Sequence, residues 1–141
     1  MRVSKRGINM ITEFEGFKSK AYRCPAGVFT IGYGHTKGVK EGDTCTSDIA
    51  MKWLKEDCEE SEETINTNIK ITLSQNQFDA LVSFIFNLGP TNFIRSTLLM
   101  KINERDYKGA ADEFEKWTKI GGCEISGLIR RRAAEKELFL S

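Results

Sequence analysis

Residues 14–35 read FEGFKSKAYRCPAGVFTIGYGH, and within them the hydrophobic period changes from that of a helix to that of a sheet. Upstream, Ile8, Ile11 and Phe14, with Met10 and Phe17 beside them, recur at helical spacing after Ser4, a residue suited to an N-cap. Gly16 stops that helix, so Glu15 stands at its end. After a Pro25-Ala26-Gly27 turn, Phe29, Ile31 and Tyr33 alternate with Val28, Thr30 and Gly32, the pattern of a β-hairpin within Lys20 to Gly34.

Outward from this stretch the chain turns helical. A short third strand is expected around Asp43 to Cys45. Thr46-Ser47-Asp48 then caps a long helix with Ile49, Ala50, Trp53, Leu54, Cys58 and Ile65 on one side. Its other side holds six acids between Glu56 and Glu63, the composition of a solvated helix face. Ser74-Gln75-Asn76-Gln77 forms a capping box before Phe78, Leu81, Val82, Phe84, Ile85, Phe86 and Leu88, which surround their helix until Gly89-Pro90 ends it. A helix apolar on all sides belongs at the centre of a core. Further helices are predicted from Ser96 to Asn103, Asp106 to Trp117 and Ser126 to Leu140. The expected fold class is α+β, a small sheet near the start followed by a helical bundle, in one domain over 1–141 with lobes at about 1–57 and 58–141.

Composition narrows the function classes. The 141 residues are 40% apolar, enough for one core. Twenty-one Lys and Arg against 20 Asp and Glu give no global basic field, so neither nucleic acid nor membrane insertion is implied. Residues 1–36 nonetheless carry six bases against two acids, which favours a weak, salt-screened approach to an anionic polymer, while residues 41–63 carry two bases against nine acids. No run approaches the roughly 18–20 apolar residues of a membrane span, and Met1 to Met10 lacks the apolar region of an export signal. Cys24, Cys45, Cys58 and Cys123 are widely spaced and His35 is the single histidine, which argues against a zinc site and a dense disulfide framework. Free thiols in a reducing cytosol are expected, with no metal or organic cofactor.

The chemistry centres on Glu15. It lies in Phe14-Glu15-Gly16-Phe17, where aromatics exclude water and the glycine turns the chain into the hairpin. A free glutamate is only about 0.2% protonated at pH 7, so a general acid here calls for desolvation by apolar neighbours. Glu15, Cys24 and Thr30 fall as E-x8-C-x5-T, directly before Ile31-Gly32-Tyr33-Gly34-His35. Further segments follow in order: A-Y-x-C-P-A-G at Ala21, T-I-G-Y-G-H at Thr30, Q-x-x-A-L-V-S-F at Gln77, F-N-L-G at Phe86, S-T-L-L at Ser96 and G-L-I-R-R-R at Gly127. Together they run almost end to end and resemble the phage lysozymes, or endolysins, of glycoside hydrolase family 24.

The resemblance implies a hairpin lobe joined by a long helix to a helical C-terminal lobe. It also implies inverting hydrolysis of the β-1,4 bond between N-acetylmuramic acid and N-acetylglucosamine in peptidoglycan. Glu15 would then be the general acid and Thr30 would help hold the attacking water. Cys24 occupies the position of the family's usual aspartate. A thiol is about 3% thiolate at pH 7, a poorer base than a carboxylate unless its surroundings depress its pKa. It is read as base or transition-state stabiliser, against a buried small hydrophobe or a thiol lost to a disulfide with Cys45. Phe86 and Ser96 match positions lining the sugar groove, though Phe86 also suits the core and Ser96 a helix cap. His35 suits either substrate contact or a structural ion pair. Arg130, Arg131 and Arg132, followed by Glu135 and Glu137, suggest a salt-bridged helix surface. Expected partners are the glycan strand alone, for a monomer held in the host cytoplasm until a membrane-opening factor, typically a holin, admits it to the wall. A lytic transglycosylase relying on Glu15 alone, or a non-catalytic glycan-binding descendant, are the alternatives.

Overall fold

The computed structural model describes residues 1–141. In chain order it has α1 (Lys5–Glu15), β1 (Lys18–Arg23), β2 (Phe29–Gly32), α2 (Ser47–Asn68), α3 (Gln75–Leu88), α4 (Pro90–Ile94), α5 (Thr97–Asn103), α6 (Tyr107–Phe114), β3 (Lys119–Ile120), β4 (Cys123–Glu124) and α7 (Ser126–Leu140). The mixed architecture, a small antiparallel hairpin followed by helices, agrees with the α+β expectation.

The apolar period of α3 puts Phe78 through Ile85 entirely inside, and α1, α2, α4 and α7 pack around it. Phe84 meets Phe93, Phe114 and Trp117 edge-on, with ring centroids 5.4–6.3 Å apart, while Phe114 leans on Phe139 at 5.5 Å. Each such buried side chain contributes about 1.5–3 kcal/mol through burial, so this aromatic layer is the main ballast of the helical lobe. The capping box at its entry forms as expected, with Gln77 N donating to Ser74 Oγ at 3.1 Å and Ser74 N to Gln77 Oε1 at 2.9 Å.

The first helix is fastened at its entry to this central helix. The buried Asp79 carboxylate accepts from Ser4 N at 2.9 Å, from the Ser4 hydroxyl and from Gln75 Nε2 at 2.8 Å. Gly7 permits the approach, because a Cβ there would lie 2.9 Å from Asp79 Cγ. From that anchor α1 runs eleven residues, about 16 Å, and delivers Glu15 to the hairpin.

The hairpin pairs Tyr22 with Thr30 and Arg23 with Phe29, and its register is interrupted between Lys18 and Tyr22. Where β1 bulges, the expected third strand contributes only an isolated bridge, Thr44 to Lys20, with Ala21 N donating to Asp43 O and Cys45 N to Ser19 O, both at 2.9 Å. The interruption leaves too little regular edge for a longer ladder. Pro90, read as a stop, instead starts the one-turn helix α4 from its first position, where its missing N–H costs nothing.

Candidate functional site

The site forms where the end of α1, the mouth of the hairpin and the first turns of α7 converge. The hairpin loop closes through Gly27 N on Cys24 O at 2.8 Å and Cys24 N on Val28 O at 3.0 Å, a turn with Pro25 in its second position. Within that curl the backbone N–H groups of Val28 and then Ala26 hold the thiol below its ordinary range. Cys24 is half-buried, Thr30 is buried, and the Thr30 hydroxyl also donates to Val28 O at 3.1 Å. On β2 the pleat turns Thr30 and Ile31 to opposite faces, and both are buried.

Glu15 keeps 20% of its side chain in solvent. Arg131 Nη1 donates to its Oε2 at 2.6 Å. The desolvating shell expected from sequence is therefore only partly apolar. Phe14 and Phe86 flank the site, but one side of the carboxylate belongs to a buried guanidinium, whose carbon lies 5.6 Å above the Phe14 ring. Gly34 backs the other oxygen. Its φ is +76°, and a Cβ there would come 2.9 Å from Glu15 Oε1 and 3.6 Å from Phe86 Cε1. Only glycine satisfies both the backbone and the space.

Two members of this neighbourhood escaped the sequence reading. Tyr22 lies on β1 within electrostatic reach of both Glu15 and Cys24. Partial burial first, then the charges of Glu15 and Cys24, push its phenol above the ordinary range. Its place inside A-Y-x-C-P was the available signal. Arg131 is the other, and here the surface reading of the Arg130–Arg132 run is corrected. Arg131, Arg132 and Glu135 are 4%, 0% and 0% exposed, and only Arg130 and Glu137 face solvent. The signal was positional: residues 128, 131, 132, 135, 138 and 139 form one helical stripe, and the charges occupy the middle of its apolar ends. Arg132 Nε lies 2.6 Å from Glu135 Oε1 and Arg131 Nε 3.4 Å from Glu135 Oε2. Burial pushes the Glu135 carboxyl up, and the guanidiniums of Arg132 and Arg131 oppose it.

The remaining candidates are placed as follows. Phe86 is half-buried beside Gly34 and lines a small cavity of about 200 Å³ with Thr36 and Asp57. Ser96 caps α5, accepting from Leu99 N at 3.1 Å and donating to Phe93 O at 2.6 Å. His35 is 7% exposed, bonded through Nδ1 to Asp57 Oδ2 at 2.8 Å and stacked on Trp53 at 4.5 Å. All four cysteines are free. A Cys24–Cys45 disulfide does not fit the fold. Cys45 sits beside Lys18 and Ser19 at one end of β1, and Cys24 follows Arg23 at the other. Cys24 bonds Val28 and Lys18 pairs with Gly32, and the four residues of β2 between these points span about 13 Å, about twice the reach of a disulfide. The largest cavity, about 650 Å³, lies elsewhere, between the start of α1 and α2 near Ser4, Met51 and Glu59.

Comparison with known proteins places this geometry in context. The phage lysozyme family pattern matches residues 12–135. The chain is 47% identical over 145 residues to an endolysin of Acyrthosiphon pisum secondary endosymbiont phage 1, covering 100% of this chain and 99% of that protein. It superposes on the muramidase domain of SpmX from Asticaccaulis excentricus with a TM-score of 0.94 at 40% identity, covering 99% of this chain and 98% of that one. A mutant of P22 lysozyme gives 0.89 at 40% identity, covering 100% and 99%.

Proposed function

The chain belongs to the phage lysozyme family and is a peptidoglycan-hydrolysing enzyme of lysozyme type, and from that premise we propose that it cleaves the β-1,4 bond between N-acetylmuramic acid and N-acetylglucosamine with inversion. Glu15 protonates the departing glycosidic oxygen. Thr30 helps hold a water on the opposite face of the sugar, and the Cys24 thiolate removes its proton as the bond to the anomeric carbon forms. Arg131 then receives the new Glu15 carboxylate. The observation that carries this reading is the hairpin curl closed by Gly27 N on Cys24 O and Cys24 N on Val28 O, where the Val28 and Ala26 N–H groups lower the Cys24 thiol. It supplies what a thiol needs to stand in for a carboxylate, stabilisation of the charged form. Phe86 and the exposed part of Tyr22 would then flank the sugar.

Mass spectrometry of digested peptidoglycan tests the reaction type. Reducing muramic acid ends are expected, and anhydromuramic ends would instead mean a lytic transglycosylase in which Cys24 is dispensable. Clearing of permeabilised cells should vanish in Glu15→Gln. If that variant clears cells as fast as the parent, Glu15 is not the acid. We further propose that the protein works as a monomer held in the host cytoplasm until a holin opens the membrane. No helix is long and apolar enough to cross a membrane. Fractionation of producing cells before and after holin expression tests the storage step.

A further inference from the structure

Arg131, Arg132 and Glu135 are buried charges whose contacts run in a chain with one solvent-facing end, and that end is Glu15. We infer that Glu135, acting through Ser83 and Arg131, is a positioning residue for Glu15. It holds the guanidinium where the carboxylate created by proton donation is received. The inference rests on Glu15 being the acid.

The hydrogen bonds have a direction that supports this role. The Ser83 hydroxyl donates to Glu135 Oε2 at 2.6 Å, which turns its lone pairs toward Arg131 Nε at 3.4 Å. Arg131 Nη2 donates to the Ser83 carbonyl at 3.3 Å. Two of the three guanidinium nitrogens are thereby held by Ser83, and the third, Nη1, is aimed at Glu15. Glu135 is itself held from behind. Arg132 Nη2 donates to Glu135 Oε2 at 3.0 Å and to Asn87 Oδ1 at 2.9 Å.

Charge balance adds a second reason. With Glu15 ionised, two carboxylates face two guanidiniums. With Glu15 protonated, as it is before donation, a single positive charge remains inside, and without Glu135 there would be two. Glu135 therefore tempers the pull of Arg131 on Glu15 while keeping the guanidinium in place. The other titratable group facing Glu15 is Tyr22 from the hairpin, which also feels Cys24. Arg131 also faces Cys58 of α2, whose thiol burial pushes up to about 12, so it stays neutral. Buried ion clusters are weak devices for stability alone, which makes a role at the exposed end the better account of this one.

The test is a set of purified, folded variants assayed for kcat, KM and pH profile on peptidoglycan, with Glu15→Gln as reference. Glu135→Gln should lower kcat roughly 10- to 100-fold at unchanged KM and move the alkaline limb of kcat to lower pH. Adding Arg132→Met should return that limb toward the parent, a rescue that a structural role would not produce. Ser83→Ala, which leaves every charge in place, should lower kcat without moving the limb, and it decides the matter if Glu135→Gln does not fold. Parental kcat and pH limb in folded Ser83→Ala and Glu135→Gln, beside an inactive Glu15→Gln, would overturn the positioning role alone. An active Glu15→Gln would overturn the acid assignment and this inference with it.

Discussion

In the proposed mechanism Cys24 is the base, and its environment sets a pH dependence that can be checked. Val28 and Ala26 N–H groups stabilise the thiolate, so the thiol ionises below its ordinary value. A base of this kind gains activity as pH rises through that lowered value and loses it as pH falls. In Cys24→Asp the acidic limb should move down, toward the carboxylate range near pH 4, with turnover retained. Cys24→Ser should lose most activity, since a hydroxyl does not ionise in this range. Equal turnover in all three proteins, measured from pH 4 to 9, would remove Cys24 from the mechanism. Gly34 gives a second prediction. Alanine there adds a Cβ 2.9 Å from Glu15 Oε1 at a φ of +76°. We expect a stability loss of about 1–2 kcal/mol by denaturant titration and a kcat loss of roughly tenfold or more, because the Glu15 carboxylate, the proposed acid, must move aside.

At the level of elements, the hairpin and α2 are joined by His35, which bridges Asp57 and Trp53. With 7% of its surface exposed, its imidazole is spent on that junction. His35→Gln leaves Asp57, whose side chain is 15% exposed, short of its partner. The expected cost is about 1–3 kcal/mol, a fall in Tm of roughly 3–10 °C by calorimetry, with KM within twofold of the parent. A large rise in KM at unchanged Tm would move His35 into the substrate groove. Ser96 follows the same logic. Its hydroxyl makes two bonds to the α4–α5 corner, which favours the cap over the sugar.

Across the whole molecule the four thiols occupy four different environments, which predicts their order of reaction with a thiol reagent followed by intact mass. Cys123 is exposed and Cys24 is half-buried with a depressed thiol, so these two should label in the native protein. Cys58 is buried, and desolvation, reinforced by Glu62 and Asp57, pushes it up to about 12, so it should label only on unfolding. Four free thiols are expected without reductant. A mass two units lower, mapped to Cys24 and Cys45, would mean that β1 comes apart in solution.

What could be read from the sequence alone was whatever depends on neighbours along the chain. The period of α1, the turn at Pro25-Ala26-Gly27, the capping box at Ser74 and the all-round apolar face of α3 are each specified within one or two turns of residues, and each forms as expected. The pattern E-x8-C-x5-T was legible for the same reason, since its members fall within sixteen residues of chain. Arg131 was not. Its partner Glu15 lies 116 positions away. In a local window an arginine followed by glutamates is indistinguishable from a solvated salt bridge. Only the packing of α7 against α3 and α6 buries that stripe, because once the aromatic core fixes the helix axis, these charges are satisfied by one another, Asn87 and Glu15 rather than by water.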